Sequence, residues 1–180
     1  TNSTGGNNTA VGSYALDVST TGASNTVVGY QALDANTTAT GNLAVGRGSL
    51  TANTTGAQLT ALGAYSLAAN STASNNTAVG YDALASNSTG AGNVAIGAYC
   101  LDANTTAAEN TAVGYYALTA SSGAKNTGVG SCALCATTTG ASNTAFGYNA
   151  FVAVTTGDNN TAIGNEAGNS GSPGGAVTTG

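Results

Sequence analysis

The chain has 180 residues, a net charge of −5, no His, Met or Trp, and only 5% charged residues, where soluble domains usually carry ~25%. Its two basic residues, Arg47 and Lys125, cannot form the cationic surface that a nucleic acid or an anionic membrane requires, and no apolar run approaches the ~20 residues of a membrane span. With no His and no convergent acid pair, acid–base catalysis has almost nothing to work with, so no enzyme, cofactor or metal is expected.

The chain opens inside a repeat. Thr4-Gly5-Gly6-Asn7 stands in the register of later Thr-Gly-Ala-Ser loops, and no initiator Met or signal peptide is visible, which predicts a piece of a longer protein. At Asn8 comes the phrase that organises the rest: Asn8-Thr9-Ala10-Val11-Gly12, two residues, then Ala15-Leu16. Its central glycines are Gly12, Gly29, Gly46, Gly63, Gly80, Gly97, Gly114, Gly130, Gly147 and Gly164. Neighbouring glycines differ by 17 residues at every step except Gly114 to Gly130, where 130 − 114 gives 16. A fixed period of this kind is the mark of a stacked repeat architecture.

Each repeat has a strand-like half and a loop half. In the first, Thr9 and Val11 face one side and Ala10 and Gly12 the other, because side chains alternate along a strand. One apolar column runs Val11, Val28, Val45, Leu62, Val79, Ile96, Val113, Val129, Phe146 and Ile163. A second runs Leu16, Leu33, Leu50, Leu67, Leu84, Leu101, Leu118 and Leu134, with Phe151 next, and is expected on a second short strand. These two columns are the expected core. The Ala/Gly side is then the smooth face expected to meet another surface, most simply a second copy of the chain. A helical reading fails, because Gly interrupts every copy and no 3.6-residue stripe survives. The expectation is an all-β parallel β-roll or β-solenoid of ten turns, stacked ~4.8 Å apart into a rod roughly 48 Å long.

The loop half is built from turn formers such as Ser19-Thr20-Thr21-Gly22. Gly22, Gly56, Gly90, Gly140 and Gly157 recur ten places after a central glycine, where a positive φ is expected, although Ala39, Ala73 and Ala107 hold that place in other turns. The one-residue deletion falls between Leu118 and Asn126, so the strands should keep their register. The repeat domain is read as 1–168. Residues 169–180, with Ser170-Gly171-Ser172-Pro173-Gly174-Gly175, read as a linker or hinge.

Several columns invite a chemical reading. Asn8, Asn25, Asn42, Asn76, Asn93, Asn110, Asn126, Asn143 and Asn160, broken by Leu59, read as a structural amide ladder rather than a ligand site. All eight tyrosines (Tyr14, Tyr30, Tyr65, Tyr81, Tyr99, Tyr115, Tyr116 and Tyr148) lie one or two places after a central glycine. They are either rings packed over a corner or an aromatic strip for a glycan or receptor. Cys132 and Cys135 form a lone C-x-x-C, and Cys100 stands in the column of Ala15 and Ala32. All three are expected as free thiols in small-residue positions, with a disulfide left open. Asp17 and Asp34 repeat in adjacent turns without the pattern of a calcium roll. Nine N-x-S/T sequons, including Asn36, Asn53, Asn70, Asn87 and Asn104, are glycan acceptors in a secreted eukaryotic chain or a by-product of composition. Paired threonines such as Thr20-Thr21 and Thr37-Thr38 raise ice binding as a minor alternative.

The phrase N-T-A-V-G-Y-x-A-L, with loops such as Asn53-Thr54-Thr55-Gly56, resembles repeats of bacteriophage tail-fibre and bacterial surface proteins. In Asn93-Val94-Ala95-Ile96-Gly97 it is also similar to the head repeats of trimeric autotransporter adhesins. The resemblance covers residues 1–168 and implies a left-handed β-roll, a homotrimer, and use as a fibre shaft or adhesive head. The expected function is therefore a structural segment of an extracellular, cell-surface or virion fibre. Its expected partners are copies of itself and a host-surface glycan or receptor, without nucleic acid or membrane insertion. The alternative is a self-assembling extracellular filament subunit with a purely mechanical role.

Overall fold

A computed structural model describes residues 4–169 and the backbone of 178–179. Among them every repeat contributes one short strand and no helix: β1 (Thr9–Val11), β2 (Thr26–Val28), β3 (Leu43–Val45), β4 (Thr60–Leu62), β5 (Thr77–Val79), β6 (Val94–Ile96), β7 (Thr111–Val113), β8 (Thr127–Val129), β9 (Thr144–Phe146) and β10 (Asn160–Ile163). Each pairs in parallel with the next, one whole repeat apart, as in Ala44↔Ala61 and Ala78↔Ala95. A two-residue strand, β11 (Thr178–Thr179), lies antiparallel on β10. The fold is a parallel β-solenoid of ten strands and about nine turns. The shortened repeat leaves the register intact, with Thr111↔Thr127 and Val113↔Val129 paired. Apart from Asn169 and the backbone of β11, the predicted linker lies outside the described residues.

The strands face the opposite way from the sequence reading. The Ala column (Ala44, Ala61, Ala78, Ala95, Ala112, Ala145 and Ala162, with Val27 in β2) is fully buried. The Val column points outward: Val11 is 58% exposed, Phe146 55% and Ile163 67%. The narrow lumen explains the inversion. The Leu column is buried inside the coil and fills it from the far wall, so the strand opposite can bring in little more than a methyl group. Where that strand carries Gly128, an added Cβ would stand 3.2 Å from Cγ of Leu118. A Val there in every turn would overfill the core.

The Ala-Leu segment is not a second strand. Its residues alternate between ordinary and left-handed backbone, with Leu16, Leu33, Leu50, Leu67, Leu84, Leu101, Leu118, Leu134 and Phe151 at φ between +48° and +55°. A left-handed non-glycine residue costs roughly 1–2 kcal/mol, and burying a Leu side chain contributes ~1.5–3 kcal/mol, so each position can hold. The alternation also turns successive N–H groups along the axis in opposite senses. Gln31 donates to the Ser13 carbonyl of the previous turn, and Leu33 donates to Ser49 of the next.

Two glycine columns have different causes. Gly12 has φ +134°, and a Cβ on it would lie 2.5 Å from the Gly29 carbonyl oxygen of the next turn; the central column repeats this along the rod. Both φ and contact demand glycine. Gly22, Gly56, Gly90, Gly140 and Gly157 are not at positive φ, contrary to expectation. They sit where neighbouring loop atoms approach closely, as the Ala39 carbonyl does at Gly22. The left-handed loop position falls instead at Ser24, Gln58, Asn75, Glu109, Lys125, Ser142 and Asn159.

Candidate functional surfaces

No pocket opens among the described residues, and no three His, Cys, Asp or Glu side chains gather among them as a metal site. The residue columns are placed on the coil one by one.

The Asn column lies inside. Each carboxamide oxygen accepts the backbone N–H of the next column residue: Asn25 donates to Asn8 Oδ1 (2.9 Å), Asn42 to Asn25, Leu59 to Asn42, Asn93 to Asn76 and Asn110 to Asn93. Asn126, Asn143 and Asn160 continue it upward. In seven of the nine, all but Asn110 and Asn160, Nδ2 closes the loop half by donating to a carbonyl 14 residues on, as Asn76 does to Gly90 (2.7 Å). The bonds run mainly from side chain to backbone, so the column clamps turns together while its carboxamides stay buried.

A second ladder went unread in the sequence. Asn70 Nδ2 donates to Asn53 Oδ1, Asn87 to Asn70 and Asn104 to Asn87, all within 3.0–3.1 Å. With Asn36 these are the sequon asparagines, and all five are fully buried. The glycan reading therefore fails at these five in the folded chain, because each acceptor nitrogen is committed inside the coil. Their recurrence at 17-residue intervals was the available signal. The ladder ends at Ser121, which stands where a further Asn would donate. Asn104 Oδ1 is left buried without a partner, as is Asn110 Nδ2 beside the shortened loop.

The tyrosines form a corner strip just past the strand. Rings set alternately one and two places after the central glycine meet edge to face: Tyr14–Tyr30 at 6.0 Å and 84°, Tyr65–Tyr81 at 6.2 Å and 88°, Tyr81–Tyr99 at 5.4 Å and 72°. Where two successive turns use the same place, the rings stack. Tyr99 and Tyr116 are parallel within 7° at 4.9 Å, matching the ~4.8 Å rise of a turn. Arg47 bridges the turn without a ring, its guanidinium 6.0 Å from the Tyr30 ring and 5.5 Å from Tyr65. Tyr115 joins at 4.3 Å from Tyr116. The structure thus brings Tyr14, Tyr30, Tyr65, Tyr81, Tyr99, Tyr115 and Tyr116 into one strip. Tyr148 stands beyond the turn that carries Cys132, still on that corner. The charge of Asp82 beside Tyr81, with some burial, holds that phenol above its usual pKa. A hydrogen bond with Tyr115 does the same for Tyr116.

Cys132 and Cys135 are joined by a disulfide, their Cα atoms 4.9 Å apart, which corrects the free-thiol expectation for this pair. The corner brings a residue of the tyrosine column close to one three places later. Cys100 is a free thiol, fully buried in the small-residue column, and burial pushes its pKa up to about 12. Of the aspartates, Asp34 Oδ1 accepts from Thr51 (3.0 Å), and one carboxylate oxygen of Asp102 is buried without a partner. The loop threonines spend their hydroxyl protons internally: Thr20, Thr37 and Thr54 each donate to a carbonyl of the next turn.

The remaining surface is the outer strand face. Val28, Leu62, Ile96, Phe146 and Ile163 are exposed large apolar side chains on it, and no charged residue lies on any strand from β1 to β10. It was expected to be the core. Comparison of the chain with protein-family models, with curated proteins and with solved structures finds no match.

Proposed function

We propose that the chain is a rigid structural segment of an extracellular, cell-surface or virion fibre, whose copies associate side by side through the outer strand face. One observation carries this reading: a row of outward-facing apolar side chains runs from Val11 to Ile163, exposed at Val11, Val28, Leu62, Ile96, Phe146 and Ile163 and half-buried at Val45, Val79, Val113 and Val129. Contiguous apolar patches of that extent mark association surfaces. A flat parallel sheet is normally covered on both faces, and here the coil covers only one. The Cys132–Cys135 disulfide fits an oxidising compartment. With the strand face covered, the tyrosine corner remains for a host glycan or receptor.

Sedimentation equilibrium tests the association. The chain should form a discrete oligomer, a trimer on the resemblance, and paired Leu62→Lys and Ile96→Lys substitutions should return it to a folded monomer. A monomeric parent chain would overturn the reading, and open-ended polymer would favour the purely mechanical filament.

A further inference from the structure

The tyrosine corner does more than cover backbone: four of its rings, Tyr81, Tyr99, Tyr115 and Tyr116, form a contiguous phenol cluster at the surface. Tyr99 touches the other three, at 5.4 Å from Tyr81, 6.2 Å from Tyr115 and 4.9 Å from Tyr116. Tyr81 and Tyr115 are exposed and open to an outside oxidant. Asp82, beside Tyr81, supplies a carboxylate that can take a phenolic proton as an electron leaves. Only Tyr99 and Tyr116 are face to face, parallel within 7°. Stacked in this way the two rings lie one turn apart on the same corner, and a bond between their edges requires the side chains to rotate toward each other.

We propose that Tyr99–Tyr116 is an oxidative cross-linking site, fed by Tyr81 and Tyr115, at which a haem peroxidase with hydrogen peroxide forms an intrachain dityrosine. Each of the two phenols gives up one electron and its proton. The two phenoxyl radicals form a carbon–carbon bond at the ring positions beside the oxygens. The ring hydrogens at those carbons then move to the oxygens and restore both phenols. The two electrons and two protons reduce one hydrogen peroxide to two waters, so the step balances. The bond closes a loop of one turn (116 − 99 = 17 residues) and fastens adjacent coils on a wall otherwise held by hydrogen bonds. It does not depend on how copies of the chain associate.

The chain's sparse cleavage sites make the test clean. Trypsin can cut only after Arg47 and Lys125, leaving all five central tyrosines on fragment 48–125. Cleavage before Asp82 and Asp102 divides that fragment into 48–81, 82–101 and 102–125. After treatment of the native chain with horseradish peroxidase and hydrogen peroxide, then denaturation and digestion, pieces 82–101 and 102–125 should stay joined. The joined product should be lighter by two hydrogens and show dityrosine fluorescence. Tyr99→Phe and Tyr116→Phe should each lose it, and Tyr115→Phe should keep it. Joining of 48–81 to 82–101 instead, cross-links mainly between chains, or the same product from Tyr99→Phe would overturn the proposal.

Discussion

The fold rests on residues whose sequence look is modest. Gly63 has φ +143°, and a Cβ added to it would clash with the Gly80 carbonyl of the next turn. Gly63→Ala should therefore lower the urea midpoint by the equivalent of about 3 kcal/mol, a large single-residue effect with a named steric cause. Ser121 gives the opposite case. Asn104 Oδ1 is buried and unpartnered below it, so Ser121→Asn should continue the inner ladder and raise stability by about 1 kcal/mol in the same assay. Cys100 provides a pH test. Its folded pKa is raised from 9.0 to about 12, so between those values the folded chain holds a proton that the unfolded chain releases. The stabilisation is complete below pH 9.0 and is lost as pH rises toward about 12. Comparing alkaline unfolding of the parent with Cys100→Ala should show a shallower decline in the variant.

At the scale of the element, the 17-residue period, the strand position and the tolerance of the shortened repeat were all legible in the sequence. Period and backbone pairing are set by the same glycines and asparagines. Which strand face lies inside was not legible. Alternation separates Thr and Val from Ala and Gly but does not say which pair the lumen can hold, and hydrophobicity favours the wrong one. The deciding fact is the width of the coil once a Leu enters from the far wall. The Leu segment was misread for a related reason: a left-handed backbone at Leu33 or Leu84 runs against local preference and is sustained by burial. The tyrosine corner was found from position alone, but edge contact and stacking depend on whether successive rings share a place in the repeat. The second asparagine ladder offered only glycan acceptors or a by-product of composition in the sequence, because a sequon gives no sign of burial. Since each turn mainly contacts its neighbours, removal of one whole repeat, such as 76–92, should leave a cooperatively folded, shorter rod by circular dichroism melting. Removal of half a repeat should not.

For the whole molecule, nine steps of ~4.8 Å give a rod of about 43 Å. One long side carries exposed Val, Leu, Ile and Phe, and a separate corner carries the tyrosines and Arg47. A lone rod would leave that apolar side in water; copies lying alongside one another would cover it, and copies joined end to end would not. Small-angle X-ray scattering on an absolute scale reads mass and length from one curve. The predicted result is a small integer multiple of the 17.0 kDa chain mass at an unchanged rod length and a thickened cross-section. A particle of single-chain mass and single-coil cross-section, or a length that grows with concentration at constant cross-section, would contradict it.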